Sequence, residues 1–338
     1  MYRSFYGFRV KPFQLKPDPN FFFGSKGHKR AMAYLEYGLS QAEGFIVITG
    51  EVGAGKTTLV RNLFRKLESE KIIAAQIVNT HLDSDDTLRM VAAAFGLPHE
   101  NSNKASLLIR LEQFFRQCDQ QGKRALLVVD EAQNLSPHTV EELRMLSNFQ
   151  TDDKPLLQTF LLGQPEFRKT LLSADMQQLR QRVTATYHLG PMDLLETRSY
   201  IEHRLSTAGW SGNPSFDEDA FAVVYDYTNG IPRKINTLCD RLLLMGCLEQ
   251  LHNFGSSEIN EVIRDIQQEF DMPMTGNAPD VVDTAFRLQR AESPSFAGLQ
   301  NMEERVARLE GSLVSLLQLL KQILSLAGVN KNLRKDKV

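Results

Sequence analysis

The sequence predicts an α/β fold, a mostly parallel three-layer sheet, followed by a helical region. Three observations carry this. Five apolar runs alternate with stretches of helical periodicity over residues 44–190. After Pro191 the strand signals stop and four helical stretches succeed them, divided by Gly209, Gly212-Asn213-Pro214, Asn229-Gly230-Ile231-Pro232 and Asn253-Phe254-Gly255. The first apolar run leads into a glycine-rich turn, GEVGAGKTT over residues 50–58, and then into a helical pattern.

The bulk numbers leave that frame intact. The chain has 338 residues, 42% hydrophobic and 24% charged, with a formal net charge of −2. That is an ordinary soluble composition with room for two domains, or one domain with appendages. No apolar run approaches the ~20 residues of a membrane span, and the start, MYRSFYGFRVKPF, lacks a secretory apolar region. Cys118, Cys239 and Cys247 have neither metal nor disulfide spacing and read as small core residues. A cytoplasmic location is the resulting expectation.

Residues 1–30 are rich in aromatics and proline and read as an extended arm across a domain surface. The sharper reading is that part of the arm lines an adenine pocket. His28 to Ala42 is amphipathic, with Ala31, Tyr34, Leu35 and Leu39 on one face. The first strand runs over 44–49 and the helix after the loop over 56–69. IIAAQIVN (72–79) is continuously apolar, as a strand buried on both faces should be. Helices are expected next from Ser84 or Asp85 to Gly96 and over 104–121. ALLVVD (125–130) is the third strand, and Ser136-Pro137 opens a helix over 138–149. LLQTFLLG (156–163) is the fourth strand. Two short helices, near 165–173 and 175–182, precede TATYHLG (184–190), which alternates as a fifth strand should.

The segments divide as arm 1–30, sheet domain 31–191, helical lid 192–269, linker 270–299, coiled-coil helix 300–327 and basic tail 328–338. The linker reading rests on Pro, Gly, Ser and Asp. In the last helix Met302, Val306, Leu309, Leu313, Leu316, Leu320 and Ile323 keep 3/4 spacing, about three heptads of a seam for self-association or a partner helix.

The chemistry starts at the loop, which matches G-x-x-x-x-G-K-S/T. Backbone N–H groups of Gly50, Glu51, Val52, Gly53, Ala54 and Gly55 can wrap a phosphate, aided by the positive end of the next helix. Lys56 would reach the β- and γ-phosphates, Thr57 would hold Mg²⁺, and Thr58 completes the loop. Asp130 ends a hydrophobic strand and can hold Mg²⁺ through water, while Glu131 can take a proton from, or orient, the attacking water. Binding alone would not need that glutamate. Gln164, at the tip of the fourth strand, can orient the same water.

Arg182, and after it Arg180, could stabilise transition-state charge on a neighbouring subunit's nucleotide. Such a finger is worth on the order of 10³–10⁵ in rate. Arg233 comes after a Gly-Ile-Pro turn and is placed to lean from the lid onto the γ-phosphate.

Together these residues resemble the AAA+ ATPases over roughly 1–268, with the loop at 50–57, the acidic strand end at 125–131, a sensor position at Gln164, a finger region at 180–182 and a G-x-P-R at 230–233. GEVGAGKTT, VVDEAQNLS, LLGQPEFR, LRQRV and NGIPRKIN are similar to the ExeA-like, or general secretion pathway protein A, group. Within it the chain looks most like the secretion ATPases of exosortase/PEP-CTERM loci, which accompany exopolysaccharide genes. The resemblance implies ATP as nucleotide, Mg²⁺ as cofactor and assembly as a homo-oligomer. It also implies a protein partner in a membrane-associated export system, with 300–327 as a candidate contact, and a place at the inner membrane's inner face. The absence of a membrane span and of a peptidoglycan-binding region after the ATPase departs from that group, and points to action through a membrane partner.

Two rival readings stay open. One is a DNA-associated regulator of the transposition type; Arg61, Arg65, Lys66, Lys71, Arg233, Lys234 and Arg241 are too scattered to form a DNA track. The other is a slow, nucleotide-gated scaffold.

Overall fold

The computed structural model describes residues 1–41, 44–67, 71–78, 84–100, 102–151 and 154–271. Almost all of the linker at 270–299, the coiled-coil helix at 300–327 and the basic tail at 328–338 lie outside the described residues.

The elements in chain order are α1 (Tyr2–Tyr6), α2 (Lys26–Gln41), β1 (Phe45–Gly50), α3 (Lys56–Leu67), β2 (Ile72–Ile77), α4 (Ser84–Ala94), α5 (Lys104–Gln120) and β3 (Arg124–Val129). Then come α6 (Pro137–Leu146), β4 (Leu157–Gly163), α7 (Pro165–Leu172), α8 (Gln177–Arg180) and β5 (Val183–Leu189). The lid holds α9 (Leu194–Thr207), β6 (Ser215–Phe216), α10 (Glu218–Thr228), α11 (Pro232–Leu248), β7 (Asn253–Phe254) and α12 (Ser256–Asp271).

The five long strands form one parallel sheet in the order β2-β3-β4-β1-β5. Successive side chains of a strand point to opposite faces, and the central strands are apolar on both. Phe45 and Val47 of β1, Leu127 and Val129 of β3 and Leu161 of β4 join the core under α4, α5 and α6. Ile46 and Ile48, Leu126 and Val128, and Phe160 and Leu162 join the opposite core under α2 and α3. This is why these runs are continuously hydrophobic.

β2 departs from the expectation drawn from its sequence. It is an edge strand, and Ile72, Ile73, Ala74 and Gln76 are only partly buried. An apolar run identifies a strand but carries no information on which neighbours flank it. β5 is the other edge, and there Thr184, Thr186 and His188 are exposed in alternation.

The strand order gathers three chain ends. β4 lies between β1 and β3, so their three carboxyl tips adjoin. A chain that leaves β1 for the far edge at β2 opens a crevice there, the usual ligand position in such sheets.

The lid also differs in detail, because β6 and β7 pair in parallel over two residues each. The arm is not wholly extended: it carries α1 and a short 3₁₀ turn at Pro19–Phe21. Its partner is the lid. Tyr2, Tyr6, Phe8, Phe13 and Phe21 are buried in one core with Ile201, Leu205, Val224, Leu238 and Leu242. Cys118 and Cys239 are buried, and Cys247 is partly so.

Candidate functional site

The turn after β1 needs glycine for its backbone and for its neighbours. Gly53 and Gly55 have φ of +83° and +98°, the region L side chains rarely adopt. A Cβ on Gly53 would lie 2.3 Å from Arg233 Cβ, and one on Gly55 would lie 2.8 Å from His28 Nε2. The turn is thus packed between the start of α2 and the start of α11.

Lys56 opens α3 and is buried, with 8% exposure. Its Nζ donates to the carbonyls of Gly50 (2.6 Å) and Glu51 (3.1 Å). Burial pushes its pKa below the ordinary lysine value, while the Glu131 and Asp130 carboxylates pull the other way. Thr57 Oγ1 donates to Asp130 Oδ2 at 3.0 Å. Asp130 also accepts from Gln76 Nε2 at 3.4 Å and from the Glu131 amide at 3.0 Å. Burial raises its pKa, and the bonds from Thr57 and the Glu131 amide oppose that.

Glu131 stands in a left-handed backbone conformation, φ 56° and ψ 41°, at the head of a short 3₁₀ turn over Ala132–Asn134. A non-glycine residue there is uncommon and held by its surroundings. Gln133 Nε2 donates to Glu131 Oε2 at 2.6 Å, and Gln164 Nε2 donates to the same oxygen at 3.3 Å. The Gln164 amide donates to Gln133 Oε1 at 2.9 Å.

The lid meets the loop directly. The Arg233 amide donates to the Gly53 carbonyl at 3.2 Å. At the hinge Gly230 has φ +66°, and its carbonyl accepts from the Met192 amide at 3.1 Å. A Cβ on Gly230 would lie 2.0 Å from the Met192 oxygen, so no other residue fits without moving the hinge.

Part of this set lines one open cleft of about 300 Å³. The loop contributes Val52, Gly53, Gly55, Lys56, Thr57 and Thr58, and the strand tips contribute Glu131 and Gln164. The lid contributes Tyr200, Arg204, Arg233 and Asn236. The arm closes it with residues 14–18 and 21–23, beside His28.

The arm is clasped from both sides. Arg61 Nη1 of α3 donates to the Pro17 carbonyl at 2.6 Å. Arg204 of α9 donates through Nε to the Pro12 carbonyl (2.6 Å), through Nη2 to the Gln14 carbonyl (3.2 Å) and through Nη1 to Tyr200 Oη (2.8 Å). Its guanidinium also lies 5.0 Å from the Phe21 ring centre. Several cations weighed for a DNA track are therefore engaged within the chain: Arg61 with Pro17, Arg65 with Asn20, Lys66 with Glu36 and Arg241 with Glu269.

Of the residues expected from the sequence, Lys56, Thr57, Asp130, Glu131, Gln164 and Arg233 come together. Arg180 and Arg182 do not join them. They precede β5, at the end of the sheet opposite the loop. Arg182 Nη1 donates to Ser147 Oγ at 2.9 Å, and Arg180 Nη1 donates to the Leu171 and Leu172 carbonyls at 3.3 and 3.2 Å. Sequence reasoning missed His28, Arg204, Tyr200, Asn236 and Gln133. Arg204 carried a signal, a cation at the apolar spacing of Tyr200, Ile201 and Leu205.

Residues 39–171 match the model of an AAA domain. Over 261 residues the chain is 39% identical to "General secretion pathway protein A" of Aeromonas hydrophila. That alignment takes in 77% of this chain and 47% of the relative, so the chain spans about half the length of the protein it matches. Among solved structures it is similar to the Aeropyrum pernix ORC2 protein in its ADP form, with TM-score 0.58 and 16% identity, over 76% of this chain and 73% of that one. It is also similar to the Cdc6p protein of Pyrobaculum aerophilum, with TM-score 0.56 and 15% identity, over 80% and 74%. These likenesses concern the fold. Residues 39–171 thus match an AAA domain within a P-loop fold, and the chain is similar to general secretion pathway protein A.

Proposed function

We propose that this chain hydrolyses ATP with Mg²⁺, and that the hydrolysis serves an envelope-directed export system. The observation that carries the chemical half is the gathering of Lys56, Thr57, Glu131 and Gln164 at one cleft beneath a glycine cradle, with Asp130 bonded to Thr57 behind them. The donor set suits the cation: the Thr57 hydroxyl and the Asp130 carboxylate are hard oxygen ligands 3.0 Å apart. When bound, Mg²⁺ would neutralise charge on the phosphates.

The chain's own residues do the rest. The loop amides and Lys56 bind the phosphates, with Lys56 exchanging its Gly50 and Glu51 carbonyls for phosphate oxygens. Gln164 orients the attacking water, and Glu131 accepts its proton. The arm, with Phe21, Phe22 and Phe23, forms the wall against which the base lies. Arg233 reads the γ-phosphate from the lid. Arg182 or Arg180, far from their own cleft, act on a neighbour's nucleotide in a homo-oligomer; full turnover in both Arg182→Ala and Arg180→Ala would sink that role.

The export half rests on the relationship to general secretion pathway protein A. We extend it to an exosortase-associated, exopolysaccharide-linked system reached from the cytoplasmic side of the inner membrane, with residues 300–327 as the partner site. Among the described residues no helix is long and apolar enough to cross a membrane. Capture of partners with and without 300–327 tests this half; an unchanged set of partners counts against the segment.

Steady-state ATP turnover of the wild type and Glu131→Gln tests the chemical half. Loss of turnover with retained ATP binding is expected. Equal rates in the two would remove Glu131 as the base.

A further inference from the structure

We infer that Gln133 is a positioning residue for ATP hydrolysis: it aims the Glu131 carboxylate and ties it to the tip of β4. The inference rests on the proposed ATPase reading of the cleft.

The side chain of Gln133 is spent at both ends on the two groups that would handle the attacking water. Its amide nitrogen donates to Glu131 Oε2 at 2.6 Å, and its amide oxygen accepts from the Gln164 backbone at 2.9 Å. Gln164 returns to the same Glu131 oxygen through its own side chain at 3.3 Å. The three residues thus form a closed ring joining the end of β3 to the end of β4. Gln133 does not line the cleft, whereas Glu131 and Gln164 both do. It therefore acts on the reaction only through them.

A second observation shows that the carboxylate needs such support. Glu131 lies in the left-handed region at φ 56°. Its backbone is costly there and is retained only where the surroundings over-determine it. The 3₁₀ turn after it folds Gln133 back over Glu131, and Ala132 between them is fully buried, so the turn is anchored. The amide has a chemical advantage over a cation at this point. It fixes one carboxylate oxygen without neutralising the charge a base must keep.

The test compares Gln133→Leu in the wild type and in Glu131→Gln, with kcat and KM measured for each. In the wild type, kcat is expected to fall on the order of ten- to a hundredfold, the scale of a misplaced reacting group. KM for ATP should change less than about twofold, as expected when only transition-state stabilisation is lost. In Glu131→Gln, single-turnover hydrolysis should be no slower with Gln133→Leu than without it.

An equal loss in both backgrounds would make Gln133 a merely structural residue and overturn the inference. So would an unchanged or raised kcat in the wild-type background. If the residual rate in Glu131→Gln is too small to compare, the kcat-against-KM split of Gln133→Leu decides alone: a KM for ATP that rises as far as kcat falls would overturn the inference. A wild type without turnover would instead overturn the ATPase reading, a different result from an active wild type indifferent to Gln133.

Discussion

Replacing Gly53 by alanine probes the joint between the phosphate-binding loop and the lid. Gly53 has φ +83°, and an added Cβ would lie 2.3 Å from Arg233 Cβ. Holding alanine in the left-handed region costs about 1–2 kcal/mol. Relief of the contact needs a shift of about 1 Å, and overpacking of that kind costs a further 1–3 kcal/mol. If the loop and α11 part instead, the 3.2 Å bond from the Arg233 amide to the Gly53 carbonyl is lost, at about 1 kcal/mol. The expected total is about 2–5 kcal/mol.

Gly122→Ala is the control. Its φ is +67° and nothing lies within 4 Å of an added Cβ, so only the backbone strain of about 1–2 kcal/mol applies. Thermal unfolding reads the difference: a domain of this size loses roughly 2–4 °C per kcal/mol. ATP affinity, read by titration calorimetry, should weaken about tenfold in Gly53→Ala, equivalent to about 1.4 kcal/mol. It should not change in Gly122→Ala, which sits in the turn before β3. Equal losses of stability in the two variants, with ATP affinity unaltered, would refute a packed joint between loop and lid.

Two further perturbations test the arm and the first histidine of the cleft. Arg204→Leu leaves the buried Pro12 carbonyl without its donor, at about 1–3 kcal/mol, and the part-buried Gln14 carbonyl as well. The arm should become sensitive to limited proteolysis and KM for ATP should rise; an arm cleaved no faster than in the wild type would remove Arg204 as its clasp. His28 is buried, bonded to Ser25 through Nδ1 at 2.7 Å, and burial holds its pKa below the ordinary value of 6.5. Below that value the unfolded chain takes up the proton more readily than the folded one, so stability falls as pH drops from 6.5 towards the folded pKa. His28→Gln should flatten that slope in denaturant titrations across the window, and an unchanged slope would assign the acid sensitivity to other groups.

Much of the site was legible because its chemistry is local in the chain. The glycines of the loop, Lys56-Thr57 and the Asp130-Glu131 pair each announce themselves within a few residues. Backbone conformation, helix start and strand end are short-range properties. Gln133 sat in plain view two residues after Glu131, but its role depends on the amide of Gln164, 31 residues away along the chain. Gln164 itself gains a role only because β4 pairs with both β1 and β3.

The sequence by itself determined the α/β alternation, the phosphate-binding turn and the acidic pair. Their signals are the periods of strand and helix and the demands of one tight turn. Only the tertiary structure decided the strand order, the edge position of β2, the docking of the arm on the lid and the clasp at Arg204. Those outcomes rest on long-range packing and on bonds to backbone carbonyls. A carbonyl is the same group at every residue, so the chain carries no local mark of which one Arg204 will reach. The loop can be read from its own residues; the cleft above it exists only once the arm, the lid and three strand tips have met.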